Sequence, residues 1–224
     1  MENNENEKLR VLLLDCDRFE LATLADSLRL QGLDVVGQAF DKESAIALFK
    51  AVSPDSILIN FQGCDEPCIE LLDEMRAQQA HLGIVLLTDS PDLRLYGIRQ
   101  ESLPQRTQLI EKSALTDLHQ LRSAVELSIQ TTSKTGWIAN QWSAALSSLT
   151  DIQVETLRLL AQGLSNSDIG KVRFVSEKSV EQTITRIAQH LNVVHEKGRN
   201  MRVILATEYF KWIGTPREHV IKAS

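Results

Sequence analysis

Four side chains able to react or to hold a ligand close apolar, strand-like runs in the first half of the chain. Asp15 and Cys16 follow LRVLLL, Asn60 ends SILIN, and Thr88 ends GIVLLT. If those runs are parallel neighbours, a carboxylate, a thiol, an amide and a hydroxyl share one crevice at the carboxyl edge of a sheet. Chemistry at such an edge would want an acid where Asn60 stands. The crevice has no base–nucleophile pair, no histidine near it in sequence and no glycine-rich phosphate loop, so the expectation is that the protein is not an enzyme.

The elements that must position these residues alternate. Leu9–Leu14 reads as a strand buried on both faces. Phe19, Leu21, Leu24, Leu28 and Leu30 recur at helical spacing up to Gly32. Leu33–Phe40, Ser56–Asn60, Gly83–Thr88 and Thr107–Ile110 read as further strands. Lys42–Val52, Pro67–Gln79, a weakly patterned Leu93–Glu101 and Leu115–Ile129 read as helices. Five strand–helix repeats with short connections predict an α/β domain over 8–130, a flavodoxin-like parallel sheet in the order 2-1-3-4-5. In that order strands one and three are neighbours at the switch point.

Residues 131–146 are small and polar and read as a linker, with Trp137 and Trp142 each expected to pack on a neighbouring domain. From Leu149 onward the pattern is all helix. Thr150 to Gln153 fits a capping box, Ser165 and Ser176 open two more helices, and Arg199–Ile213 is a fourth.

With 224 residues, two domains of roughly 100 residues fit. No apolar run reaches the roughly 20 residues of a membrane helix, the N-terminus is polar and acidic, and three cysteines make no disulfide framework. A cytoplasmic protein with no membrane association is expected. Residues 1–134 carry 13 Lys+Arg against 22 Asp+Glu, a net of −9, whereas residues 135–224 carry 11 against 8, a net of +3. Only the second half is suited to a polyanion.

A short helix, a tight connection and an amphipathic helix with polar outward positions form a helix-turn-helix pattern. The string LRLLAQGLSNSDIG, then VSEKSV and LNV, closely resembles the LuxR/NarL-type (FixJ) helix-turn-helix over about 147–213. The resemblance implies a sequence-specific transcription regulator that binds double-stranded promoter DNA. The helix after Ser176 would enter the major groove, presenting Lys178, Ser179, Glu181, Gln182, Thr185, Arg186 and Gln189. Gln182 suits adenine and Arg186 suits guanine or phosphate. Ser165, Lys171, Arg173 and Lys178 would meet phosphates. Glu181 departs from the family's usual basic residue and is repulsive near phosphate. Homodimerisation would run through the last helix, at Val203, Ala206 and Phe210.

The first half resembles a response-regulator receiver domain. That likeness implies a magnesium-holding acid pair, a phosphorylated acid, a Thr/Ser and a Lys. Asp15, Thr88 and Lys112 match, but Cys16 replaces the second acid and Asn60 the acceptor. A neutral amide oxygen is a far poorer nucleophile than a carboxylate, and two lost acids strip the cation site of charge. The expectation is a degenerate, unphosphorylated pseudo-receiver with no metal or cofactor. Lys112 would pair with Asp15, and the domain would act through dimerisation or by binding a protein or small ligand. A conventional kinase-controlled regulator and a protein-binding adaptor are the alternatives. Cys16, Cys64 and Cys68 suggest a thiol switch or soft-metal site, but without a CxxC pair they read as inert, ordinarily buried residues.

Overall fold

A computed structural model describes residues 8–60, 68–90, 92–130, 136–138, 146, 148–193 and 198–213. The chain divides into two compact units. One comprises Met1–Thr88 with Ser102–Ala139, the other Asp89–Glu101 with Asn140–Ser224. The predicted single span 8–130 is therefore interrupted: the segment after the fourth strand belongs to the second unit.

The first unit is built on strands β1 (Arg10–Leu14), β2 (Asp34–Ala39), β3 (Ser56–Asn60), β4 (Gly83–Thr88), β5 (Gln108–Glu111) and β6 (Gly136–Ile138). They are parallel and ordered 2-1-3-4-5-6, so the expected five-strand order is present and a sixth strand extends it. β6 lies within the stretch read as a linker. Three residues among small polar neighbours give no periodic signal, and pairing with β5 makes them a strand. Trp142 lies outside the described residues.

Helices α1 (Arg18–Leu30), α2 (Lys42–Val52), α3 (Cys68–Gln78) and α4 (His119–Ile129) complete the unit. β3 and β4 are buried along their whole length, as continuous apolar runs require when both faces are covered. One face packs Val11, Leu13, Leu58, Val85 and Ile110 against Leu21, Ala25 and Leu28 of α1 and Leu121 and Val125 of α4. The segment read as a helix from Leu93 forms only two short 3-10 turns, Leu93–Tyr96 and Gln100–Ser102.

The second unit holds α5 (Asp151–Ala161), α6 (Asn166–Arg173), α7 (Glu177–His190) and α8 (Met201–Ile213). Its core gathers Leu149, Val154, Leu157 and Leu160 with Ile169, Val180, Ile184, Ile187, Leu205 and Tyr209. Each of the first three helices is capped as its sequence predicts. Thr150 and Gln153 form a reciprocal capping box, and Ser165 and Ser176 accept from Asp168 N and Ser179 N. No helix among the described residues is long and apolar enough to cross a membrane.

The start of β4 is tightly held from α4. A Cβ on Gly83 would lie 2.2 Å from Ser128 Oγ and 2.8 Å from Ile129 Cγ2. Gly83→Ala should cost about 1–3 kcal/mol in urea denaturation, and adding Ser128→Ala should recover part of it. A wild-type midpoint for the single variant would show that α4 does not press on β4.

Candidate functional site

The sheet brings the first group of predicted residues together. Leu14 pairs with Ile59 in the β1–β3 ladder and Asn60 pairs with Leu87 in the β3–β4 ladder, so Asp15 and Asn60 lie side by side where the strands end. Both are almost completely buried, as is Thr88. Lys112 follows directly on β5 and is partly exposed.

The side chains form a chain of bonds closed by a residue that sequence reasoning missed. Asp15 Oδ1 accepts from Asp17 N–H at 2.8 Å. Asp17 is the N-cap of α1 and its Oδ1 accepts from Phe19 N and Glu20 N at 2.8 and 2.9 Å. This cap holds the first turn of α1, and Glu20 reaches back from that turn into the crevice. Asn60 Nδ2 donates to Asp15 Oδ2 at 2.8 Å and to Glu20 Oε2 at 2.7 Å. Lys112 Nζ pairs with the same Glu20 oxygen at 3.2 Å. The expected Lys112–Asp15 pair is thus replaced by Lys112–Glu20, because Glu20 stands nearer the ammonium.

The amide orientation follows from charge. Turning Asn60 over would aim Oδ1 at two carboxylates, whereas the arrangement present offers both of them N–H donors. Its cost is that Asn60 Oδ1, in a side chain only 2% exposed, has no hydrogen-bond partner among the described residues. Burial pushes the Asp15 carboxyl above the ordinary carboxylate range, against the lowering effect of the Asp17 N–H and the Asn60 amide. Its folded value lies above its unfolded one, so ionising Asp15 subtracts stability as pH rises through that window.

Cys16, expected to be an ordinary buried residue, has an exposed side chain and is not in a disulfide. It lies two residues beyond the end of β1. Cys64 and the Cys68 side chain lie outside the described residues.

The second group lies on α7. Val180, Ile184, Ile187 and Ala188 are buried, and Lys178, Glu181, Gln182, Thr185, Arg186 and Gln189 are exposed on the opposite side. Ser179 is half-buried and its N–H is taken by the Ser176 cap. Ser165 is an exposed cap, with Oγ on Asp168. Lys171 is exposed and pairs with Asp168 at 2.8 Å. α6 and α7 approach closely: a Cβ on Gly170 would lie 2.8 Å from the Val175 carbonyl oxygen, so only glycine fits without moving backbone.

Arg173 does not face outward as expected. Its side chain is only 9% exposed, donating to Thr156 Oγ1 at 2.6 Å and lying 3.4 Å from Glu155 Oε2. The turn that follows carries Phe174 at φ 55°, and it leaves Arg173 against α5 while Phe174 is exposed. Arg202, not singled out from sequence, donates to Asn166 Oδ1 and the Leu164 carbonyl and ties α8 to the start of α6. On α8, Leu205 and Tyr209 are buried while Val203 is 61% exposed; Ala206 and Phe210 are half-buried beside it. Apolar residues thus occupy most of the circumference of α8, and among the described residues the side at Val203 is left exposed.

Carboxyl-carbon NMR should place the Asp15 midpoint above the ordinary 3.8. Asn60→Ala removes a donor to the ionised form and should raise it further. A wild-type midpoint at or below the ordinary value would contradict the crevice geometry.

Comparisons with known proteins agree with this construction. Residues 147–198 match the GerE family, described as "Bacterial regulatory proteins, luxR family". The transcriptional regulatory protein LiaR of Bacillus subtilis (strain 168) is 29% identical over 206 residues, 83% of this chain and 92% of that protein. The DNA-binding transcriptional activator DevR/DosR of Mycobacterium tuberculosis is 26% identical over 208 residues, 89% and 94% of the two chains. A solved RcsB–DNA complex is similar in fold, with a TM-score of 0.53 at 18% identity over 92% of this chain and 99% of that one. Two RcsB dimers bound to two parallel DNAs give a TM-score of 0.55 at 18% identity, with the same coverage. Residues 147–198 thus match the luxR family of bacterial regulatory proteins, and over most of its length the chain is similar to transcriptional regulatory proteins such as LiaR and DevR/DosR.

Proposed function

We propose that this regulator binds promoter DNA as a homodimer and works without aspartyl phosphorylation. The observation that carries the second part is the Asn60 amide, buried and donating to Asp15 and Glu20 at once. A phosphorylated receiver needs a carboxylate nucleophile there and a cation held by acids beside it. Here the amide hydrogens face the carboxylates where a cation would have to sit, the neighbouring thiol is a soft ligand, and Lys112 is already paired with Glu20. The donor set does not suit magnesium.

DNA recognition rests on the exposed face of α7. Arg186 and Gln182 stand one turn apart and can read base edges, with Lys178 and the cap of α6 on phosphates. Arg173, bonded to α5, leaves the phosphate set. One helix-turn-helix with a net charge of only +3 in its half of the chain binds weakly. Pairing α8 with a second copy through Val203, Ala206 and Phe210 covers its open side and doubles the DNA contacts.

Fluorescence anisotropy with promoter fragments against random DNA over a salt series tests the reading. Affinity should favour the promoter and fall steeply with salt, and Arg186→Ala should cost about 1–3 kcal/mol on the promoter. Incubation with a small-molecule phosphodonor should add no phosphoryl mass and leave the isotherm unmoved. Equal affinity for random DNA contradicts the first part, and a phosphoryl adduct mapping to the crevice contradicts the second.

A further inference from the structure

The segment between β4 and β5 is followed by sequence into the sheet unit, yet Asp89–Glu101 belongs to the helical unit. The contacts inside that unit are specific. Leu95 is fully buried in the helical core with Leu149, Leu157 and Tyr209. The Tyr209 hydroxyl on α8 donates to the Leu95 carbonyl at 2.7 Å in a buried bond, and burial pushes the Tyr209 phenol up to about 12. Arg94 is held as a fork by Asp92, Nε and Nη2 lying 2.9 and 2.6 Å from its two oxygens. From there Nη1 donates to the Leu149 carbonyl at 3.0 Å and to Asp151 at 2.8 Å, with Nη2 3.4 Å from the Leu146 carbonyl. Gly97, at φ 78°, closes the turn beside the Arg158 guanidinium of α5.

We infer that Asp92–Gly97 is a strap that fixes the start of α5 against α8 and thereby sets the position of the recognition helix α7. The path is short. Arg94 takes the carbonyls just before the Thr150 cap and the first residue of α5, Leu95 and Tyr209 pin α8, and α5 carries Leu157 and Leu160 against Val180 and Ile184 of α7. None of these groups lies on the exposed face of α7, so Arg94 is a positioning residue. A planar fork with five donors suits two carbonyls and two carboxylates at once, which an ammonium cannot match. The strap begins a few residues after Thr88, the last strand residue at the crevice. Chain connectivity therefore ties the DNA-binding unit to the end of β4, and the helical unit is completed by residues its own sequence span does not contain.

The test is hydrogen exchange on the full chain, with DNA affinity as a second readout that alone rests on the DNA-binding reading. The bonded amides of Leu95, Gly97 and Ile98 should exchange together with α5 and α8. Arg94→Ala should speed exchange in the first turn of α5 and in α8 by roughly tenfold or more, leaving β1 and β3 unchanged. Promoter affinity should fall by about tenfold at an unchanged salt slope, because no phosphate contact is lost. Arg94→Lys should restore little of it. Tyr209→Phe deletes only the hydroxyl and serves where Arg94→Ala fails to fold; it should move the same amides in the same direction. Exchange in α5 and α8 that ignores both variants overturns the strap, as does an affinity loss with a reduced salt slope, which would put Arg94 on a phosphate. Wild-type protein that prefers no promoter would instead count against the DNA-binding reading and leave the exchange result standing.

Discussion

A carboxylate buried at the end of a sheet must find donors or lose its charge, and that constraint organises the first unit. Asp15 finds two, the Asp17 N–H and the Asn60 amide. Asn60 can serve because it is neutral and carries two hydrogens; an acid in its place would add a third negative charge to a pocket holding Asp15 and Glu20. Glu20 brings Lys112 into the same network. The amide at 60 and the inward turn of Glu20 are thus one arrangement, since each supplies what the other needs.

Similar economy runs through the helical unit. Arg173, Arg202 and Arg94 each bind groups on elements other than their own. Such partly buried guanidinium bonds are strong because several donors act in a fixed plane. They spend positive charge on internal partners, while Lys171, Lys178 and Arg186 are exposed beside the turn. On the proposed reading, the DNA affinity of the helical unit then rests on a few contacts.

Much of this was legible in the sequence wherever a local signal was strong. Ser56–Asn60, Lys42–Val52 and Gly83–Thr88 begin and end where their apolar patterns and caps say they should. The capping box at Thr150 and the caps at Ser165 and Ser176 did the same for the helix-turn-helix. What stayed hidden depends on distance along the chain. Glu20 lies 40 residues from Asn60 and 92 from Lys112, and nothing local marks an exposed-helix glutamate as turning inward. Arg173 looks like any basic residue beside a turn until α5 is placed. Leu93–Glu101 has a weak helical pattern, and its Leu95 serves the core of the helical unit. β6 is three residues whose strand character comes only from β5.

A neutral amide joins two acids in the crevice, and denaturation of charge variants tests its importance most directly. Asn60→Asp should lose about 2–4 kcal/mol near pH 7, through two lost hydrogen bonds and like-charge repulsion, and regain much of it as pH falls and the acids protonate. Adding Glu20→Gln should restore a substantial part at neutral pH. An Asn60→Asp protein as stable as wild type near pH 7, with no change on adding Glu20→Gln, would contradict the account.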